Sequence, residues 1–305
     1  ACFLLHNTPE EIRLVLIDPK RVELATFAHI PHLAFSKIIT DIEEVVGTLQ
    51  AVIHEMDSRY RTFASVGVRN IEAYNKSPKA SHKLPCWVVI IDELADLMMA
   101  APYQVERQVC RLAQLARATG IHLIIATQRP SVDVVTGLIK ANFPTRIAFA
   151  VSSQVDSRTI IDSGGAEKLL GRGDMLFMPS DAAKPKRLQG AFVSDQELDR
   201  VVVWWTNERF QHLRPQAMDH LIREAQVEEG EETEPDDDPL YEAAKELALQ
   251  HSRISTSLLQ RRLHVGYPRA ARLIDLLEQE GIVAPAEAGQ SREVLISRGE
   301  AERSE

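Results

Sequence analysis

The sequence has no apolar run near the ~18 residues that a membrane-spanning helix needs. No secretory signal opens it. Cysteine is scarce: Cys2, Cys86 and Cys110 are scattered and odd in number. That pattern excludes a disulfide framework and a zinc site, and points to reduced, buried thiols in a cytosolic compartment. The pattern G-x-x-x-x-G-K-[ST] does not occur in the 305 residues. The backbone N–H cradle and lysine that it gives a nucleotide's phosphates are therefore missing, and this polypeptide is expected to hold ATP poorly. Gly164-Gly165 and Gly171-x-Gly173 form no G-x-G-x-x-G; they mark turns, and a dinucleotide loop gains nothing from them.

What is present is ordinary globular material, 45% hydrophobic and 26% charged, long enough for two domains. The net charge of −9 argues at first against nucleic acid. Yet Glu224–Asp238 holds nine acids and no Lys or Arg, so the rest of the chain is neutral. Acidity confined to one linker leaves the flanking regions free to carry basic patches.

Alternation of apolar runs and amphipathic stretches predicts an α/β fold. Cys2–Leu5 reads as the end of an apolar helix. Ile12–Ile17 reads as a strand closed by Asp18-Pro19-Lys20. An amphipathic helix is expected over about 40–61, with Ile42, Val45, Val46, Leu49, Val52, Ile53 and Met56 on one face. Trp87–Ile91 is a Val/Ile-rich run that suits a strand buried on both faces of a parallel sheet. A helix over about 105–118, ended by Gly120, leads to a third buried strand, 121–126. A short helix, 134–142, leads to a fourth strand, 146–151. Strand–helix–strand alternation implies right-handed crossovers and one parallel sheet. Ser194-Asp-Gln-Glu caps a helix that runs through Trp204 and Trp205, which read as packing residues.

Polar groups gather at the strand ends. Asp18 and Lys20 close one strand, Asp92 and Glu93 the next, Thr127 and Gln128 the third. Ligands of open α/β sheets bind at the C-terminal ends of the strands, so three such ends converge on a candidate nucleotide site. There the first acid of an adjacent pair holds Mg²⁺ through water and the second polarises an attacking water. Gln128 would orient that water or sense a γ-phosphate by its amide; a capping amide is the alternative.

After about residue 215 the character changes. Residues 216–238 read as an acidic flexible linker, and 239–300 as a compact unit. In it a helix reaches about 250, Ser255-Thr256 caps a second helix (257–263), and a third runs over 268–280 with Pro268 in its first turn. Val283 and 293–296 suggest a two-stranded wing. This is helix–turn–helix with a wing. Ala270, Ile274 and Leu277 share the buried side of the third helix. Arg269, Arg272, Asp275 and Gln279 point away from it, at spacings suited to a major groove. Arginine pairs with guanine O6 and N7, and an acid accepts from cytosine N4. A wing cation such as Arg292 suits a DNA phosphate.

Longer stretches carry a resemblance. They are LVLIDPKRVEL at 14–24, IPHL at 30–33, RYRTFASVGVRNIEAYN at 59–75 and WVVIIDELADLMM at 87–99. LAQLARATGIHLIIATQRPSVDVVTGLIKANFPTRIAF at 112–149, SRTIIDSGGAEKLLGRGDML at 157–176 and GAFVSD at 190–195 continue the series. The chain resembles the FtsK/SpoIIIE family of DNA translocases over nearly its whole length outside the acidic linker. Gly266–Val283 is similar to the family's gamma domain, with Pro268 and Asp275 where the family pattern has Asn and Glu.

The resemblance implies a RecA-like P-loop NTPase motor over 1–215, using ATP and Mg²⁺, that assembles as a homo-hexameric ring around double-stranded DNA. It implies a phosphate loop a short way upstream of Ala1, so that the chain is a piece of a longer motor and inactive alone. Asp92 and Glu93 take the Walker B positions and Gln128 ends the sensor-like strand. Arg146 is carried over as the finger that reaches a neighbouring site, although the resemblance does not decide between it and Arg158. Arg158 is assigned to a channel-facing loop on DNA phosphate, and Lys184, Lys186 and Arg187 to a second basic loop. The function implied is chromosome segregation at division or sporulation. It would be the cytoplasmic motor region of a protein anchored in the inner membrane at the septum, with a site-specific recombinase as a further partner. The alternatives are a non-hydrolysing DNA-binding scaffold and a ring ATPase of conjugation or secretion; the terminal winged helix argues against the latter.

Overall fold

The computed structural model describes residues 1–182, 184–213, 218–222, 240–251, 253–263, 267–284 and 292–295. The chain divides into two units, Ala1–Gln226 and Val227–Glu305.

In the first unit, β1 (Ile12–Ile17), β2 (Cys86–Ile91) and β3 (Ile121–Ile125) form a parallel sheet in the order β1-β2-β3. Ile17 pairs with Ile91 and Ile91 with Ile125, so the three C-terminal ends are level. Both faces are covered, which is why β1 and β2 are apolar apart from Arg13 near the start of β1. Val15, Ile17, Trp87, Val89 and Ile91 enter one core; Leu14, Leu16 and Val88 enter the other. The first core is closed by α2 (Ile42–Val66), α4 (Leu94–Ala100) and α5 (Pro102–Leu115). The second packs against α1 (Cys2–His6) and α8 (Asp195–Thr206), where the Trp205 indole donates to the Leu4 carbonyl at 2.8 Å. Trp205 packs on this core as expected, whereas Trp204 is 55% exposed and lies under the Arg209 guanidinium. Ser194 caps α8 with a full capping box, as its sequence predicts.

Three expectations about this unit are corrected. First, β3 is not buried on both faces. His122 and Ile124 share one face and are exposed, while Leu123 and Ile125 on the other face pack on the first core. Second, β4 (Arg146–Phe149) does not join the parallel sheet. It pairs antiparallel with β5 (Asp174–Met178), which pairs in turn with β6 (Lys186–Gln189). Alternation counts elements without saying which strands meet, and β5 gives β4 a complete ladder close by. Third, the linker does not begin at 216. Met218, Leu221 and Ile222 pack on the first core, and the Met218 N–H donates to the Ala34 carbonyl at 3.0 Å. The remaining helices, α3 (Ile71–Lys76), α6 (Gly137–Asn142) and α7 (Gln154–Ile161), are short. Of these, α3 had no reading from sequence, and neither did α4.

The second unit is built on α9 (Tyr241–Leu249), α10 (Thr256–Leu263) and α11 (Tyr267–Gln279). Its own core contains Ala244, Ala248, Leu259, Ala270, Leu273, Ile274, Leu277 and Ile282. Ala270, Ile274 and Leu277 are buried as the helical spacing predicts. The wing differs in detail: β8 (Arg292–Glu293) pairs antiparallel with β7 (Arg253–Ile254), and Val294 bridges Val283. The acidic stretch 224–238, the turn 264–266 and the glycine-containing loop 285–291 lie outside the described residues. No helix among the described residues is long and apolar enough to cross a membrane.

Candidate functional site

The level strand ends bring Asp18, Lys20, Asp92, Glu93 and Thr127 together. Asp18 is fully buried and shapes the turn after β1: its carboxylate accepts from the N–H groups of Lys20 at 3.1 Å and Leu24 at 3.0 Å. Lys20 is thereby aimed back across β2, where its Nζ lies 3.1 Å from Glu93 Oε2.

Glu93 is the N-cap of α4 and fully buried. Its Oε1 accepts from Thr127 Oγ1 at 2.5 Å and from the N–H groups of Ala95 and Gln128, each at 3.2 Å. Burial raises its pKa. The Thr127 hydroxyl, Lys20 and the two backbone donors outweigh that, and the carboxyl lies below the ordinary glutamate value. Asp92 is pushed the other way. Burial raises it first, and then Asp18, Glu23 and Glu93 add their negative charges. Two adjacent acids with environments that separate them are suited to two different tasks.

Asp92 Oδ2 is buried and has no hydrogen-bond partner. A buried carboxylate oxygen without a donor fits a hydrated divalent cation, which would supply one. Gln128 contributes its backbone here. Its backbone N–H clamps Glu93, while the residue itself is exposed and its amide makes no hydrogen bond among the described residues.

The basic residues form separate groups. Arg146 opens β4, with its side chain 18% exposed, and Nη2 lies 2.7 Å from Asp162 Oδ2. Lys140 holds the other oxygen of Asp162 at 2.8 Å. These contacts, the Lys140 hydrogen bond first, keep Asp162 below the ordinary aspartate range. Arg158 is exposed on α7, a helix where a loop was expected. Lys186 and Arg187 lie in β6, not in a loop, and only Lys184 stands outside a strand or helix. Period-2 alternation is weak in so short and exposed a strand, which is why the sequence reads as a turn.

Arg187 is tied down. Its Nε and Nη2 meet Asp174 Oδ1 and Oδ2 at 2.9 and 2.7 Å, and the Leu170 N–H adds a third donor at 2.8 Å. These bonds, the Arg187 fork first, lower the Asp174 pKa to about 2. A folded pKa below the unfolded one contributes stability above the unfolded value and loses it as pH falls through the folded value. The pair should therefore be fully stabilising above about pH 4, the ordinary aspartate range. It should weaken down to about pH 2. Denaturant unfolding across that window should show this acid dependence in the natural chain and a smaller one in Asp174→Asn.

In the second unit Arg292 turns inward. It is 11% exposed, lies 2.8 Å from Asp275 Oδ1 and also pairs with Glu278. Arg292 and Asp275, expected on phosphate and on a cytosine, bind each other across β8 and α11. Sequence separation hid the pair. The side chains of Arg269, Arg272 and Gln279 lie outside the described residues. The sequence reading also missed Asp162 and Asp174 as arginine partners. Only the turn-forming SGG after Asp162, which itself has φ of 56°, gave a local signal.

A model of the FtsK/SpoIIIE family matches residues 1–132, and one of the Ftsk gamma domain matches residues 235–297. DNA translocase SftA of Bacillus subtilis is 53% identical over 299 residues, which are 96% of this chain and 30% of SftA. DNA translocase SpoIIIE of the same organism is 49% identical over 312 residues, 97% of this chain and 38% of SpoIIIE. Among solved structures, the pCW3 conjugation coupling protein TcpA in its monomer form with ATPγS superposes with a TM-score of 0.56 at 26% identity. It covers 64% of this chain and 57% of TcpA. The chain spans about a third of the length of the curated relatives it matches.

Proposed function

We propose, for a chain that belongs to the FtsK/SpoIIIE family, that it supplies the water-activating and DNA-reading parts of an ATP-driven double-stranded DNA translocase serving chromosome segregation. The observation that carries the reading is the acid pair: Glu93 buried and clamped, and Asp92 beside it with an unpartnered buried oxygen. Asp92 would hold Mg²⁺ through water, and that ion would neutralise charge on the β- and γ-phosphates. Glu93 takes a proton from the attacking water. The water oxygen bonds to the γ-phosphorus, the bridging P–O bond breaks with its electrons leaving on ADP, and the proton passes on to the released phosphate. The exposed Gln128 amide suits a water- or γ-phosphate-orienting role. The site lacks a phosphate cradle of its own, so the 305-residue chain alone is inactive in this reading.

In the same reading the motor is a homo-hexamer around duplex DNA on the cytoplasmic side of the inner membrane. Arg146 serves a neighbouring subunit. Arg158, Lys184 and Lys186 face DNA phosphate, and Arg187 anchors the strand that carries Lys186. The second unit reads sequence with α11, where Arg269 and Arg272 lie about one helical turn apart. A conjugation or secretion ATPase is the weaker account, because 235–297 matches the gamma domain.

Selection from random duplexes by the 305-residue chain tests the reading part. An enriched motif is expected. Arg272→Ala should cost about 1–3 kcal/mol on that motif and relax one base pair. Recovery of unselected sequence would reject sequence reading. For the motor part, the chain extended at its N-terminus by a phosphate-loop segment should hydrolyse ATP faster with duplex DNA than without; no DNA response would sink it.

A further inference from the structure

The two oxygens of Glu93 are dressed differently. Oε1 takes Thr127 Oγ1 and the Ala95 N–H, while the single Gln128 N–H is shared between Oε1 at 3.2 Å and Oε2 at 3.1 Å. That fills its two lone pairs with donors fixed by the backbone or by a short side chain. Oε2 takes that shared N–H and Lys20 Nζ, the latter at 3.1 Å. It is saturated too, but one of its donors sits on a long side chain that is 31% exposed. A general base needs an open lone pair within hydrogen-bond reach of its water. In this arrangement neither oxygen has one.

A second acceptor stands beside the lysine. Asp96 Oδ2, on the first turn of α4, is 4.0 Å from Lys20 Nζ. Its other oxygen lies 3.9 Å from Arg129 Nη1, just past the end of β3. The backbone of Lys20 is fixed by its N–H to Asp18, so only the side chain has to turn.

We propose that Lys20 is a positioning residue that covers Glu93 Oε2 at rest and uncovers it by passing to Asp96. This rests on the reading of Glu93 as the base. Oε1 then serves as the anchor and Oε2 as the proton acceptor. Turnover is gated by where the Lys20 ammonium rests.

The extended chain supplies the test. Lys20→Met should raise DNA-independent kcat, by roughly the tenfold that one charge-assisted bond represents, with KM for ATP unchanged. Asp96→Asn removes the second acceptor and should lower kcat. A merely structural role would move both variants downward, and that result, or an unchanged Lys20→Met, overturns the proposal. Glu93→Gln in the same protein separates the two ideas. If it retains turnover, the reading of Glu93 falls and takes the proposal with it. If it abolishes turnover while Lys20→Met does not gain, the proposal alone falls. A readout without catalysis uses the 305-residue chain. Reductive methylation of Lys20, followed by mass spectrometry, should run severalfold faster in Glu93→Gln than in the natural chain. Equal rates would mean that Glu93 does not hold the lysine, and this measurement also decides the matter should Lys20→Met fail to fold.

Discussion

Arg146→Ala, in rings of the extended chain, is expected to cut ATP turnover by about 10³–10⁵ while sparing ATP binding, the range for an arginine that acts on a transferring phosphoryl group. The geometry suits that role. Arg146 begins β4, a strand locked to β5 along its whole length, so the base of the side chain is rigid. Its guanidinium is held at one edge by Asp162 at 2.7 Å, while Nε is buried without a partner. A planar fork that is oriented but only half satisfied is prepared to take another acceptor. Arg146→Lys should recover little, because a point charge cannot replace the fork. Phosphate release and a fluorescent-nucleotide titration measure the two effects separately. Mixing Arg146→Ala with Glu93→Ala subunits should restore part of the rate, since some mixed interfaces would carry both residues intact. A normal rate for Arg146→Ala, with loss in Arg158→Ala, would transfer the role to the exposed arginine of α7.

The part of the site that was legible in the sequence is the part written in runs of neighbouring residues. Leu14–Ile17 and Trp87–Ile91 lie in strands because unbroken apolar runs suit a sheet covered on both faces. The acid pair marks a strand end because polarity begins where the run stops. The pairings across the fold were not legible. Lys20 and Glu93 are 73 residues apart, and Arg146 and Asp162 are 16 apart. No local pattern selects those partners from the many charges available. The same limit misplaced β4 and hid the Arg292–Asp275 pair. In each case a charge or a strand was recognised, and its partner was decided by packing at a distance. Such partners matter to function, because they separate a free cation from one already engaged. Arg187 is engaged by Asp174, whereas Lys184 and Lys186 have no ion pair among the described residues.

Glu93→Gln in the extended chain should still bind ATP yet lose roughly 10²-fold or more in turnover, the scale of a missing general base. Glutamine is the cleaner substitution. Alanine would strip the acceptor from the Thr127 hydroxyl, the Lys20 ammonium and two backbone N–H groups in a buried place, and unpaired buried donors cost stability of their own, about 1–3 kcal/mol each. The amide keeps an oxygen for the Thr127 side of the clamp and cannot take the proton. Asp92→Asn should behave differently. It should weaken Mg²⁺-dependent nucleotide binding, because it removes the charge and one acceptor from the carboxylate whose Oδ2 is buried without a partner. The 305-residue chain supplies the background, since without a phosphate cradle it should release no phosphate above the uncatalysed level. Turnover by that chain, abolished by Glu93→Gln, would mean that these strand ends bind and position the nucleotide unaided. Unchanged turnover in the extended Glu93→Gln variant would remove Glu93 from the chemistry and leave its buried clamp as the structural cap of α4.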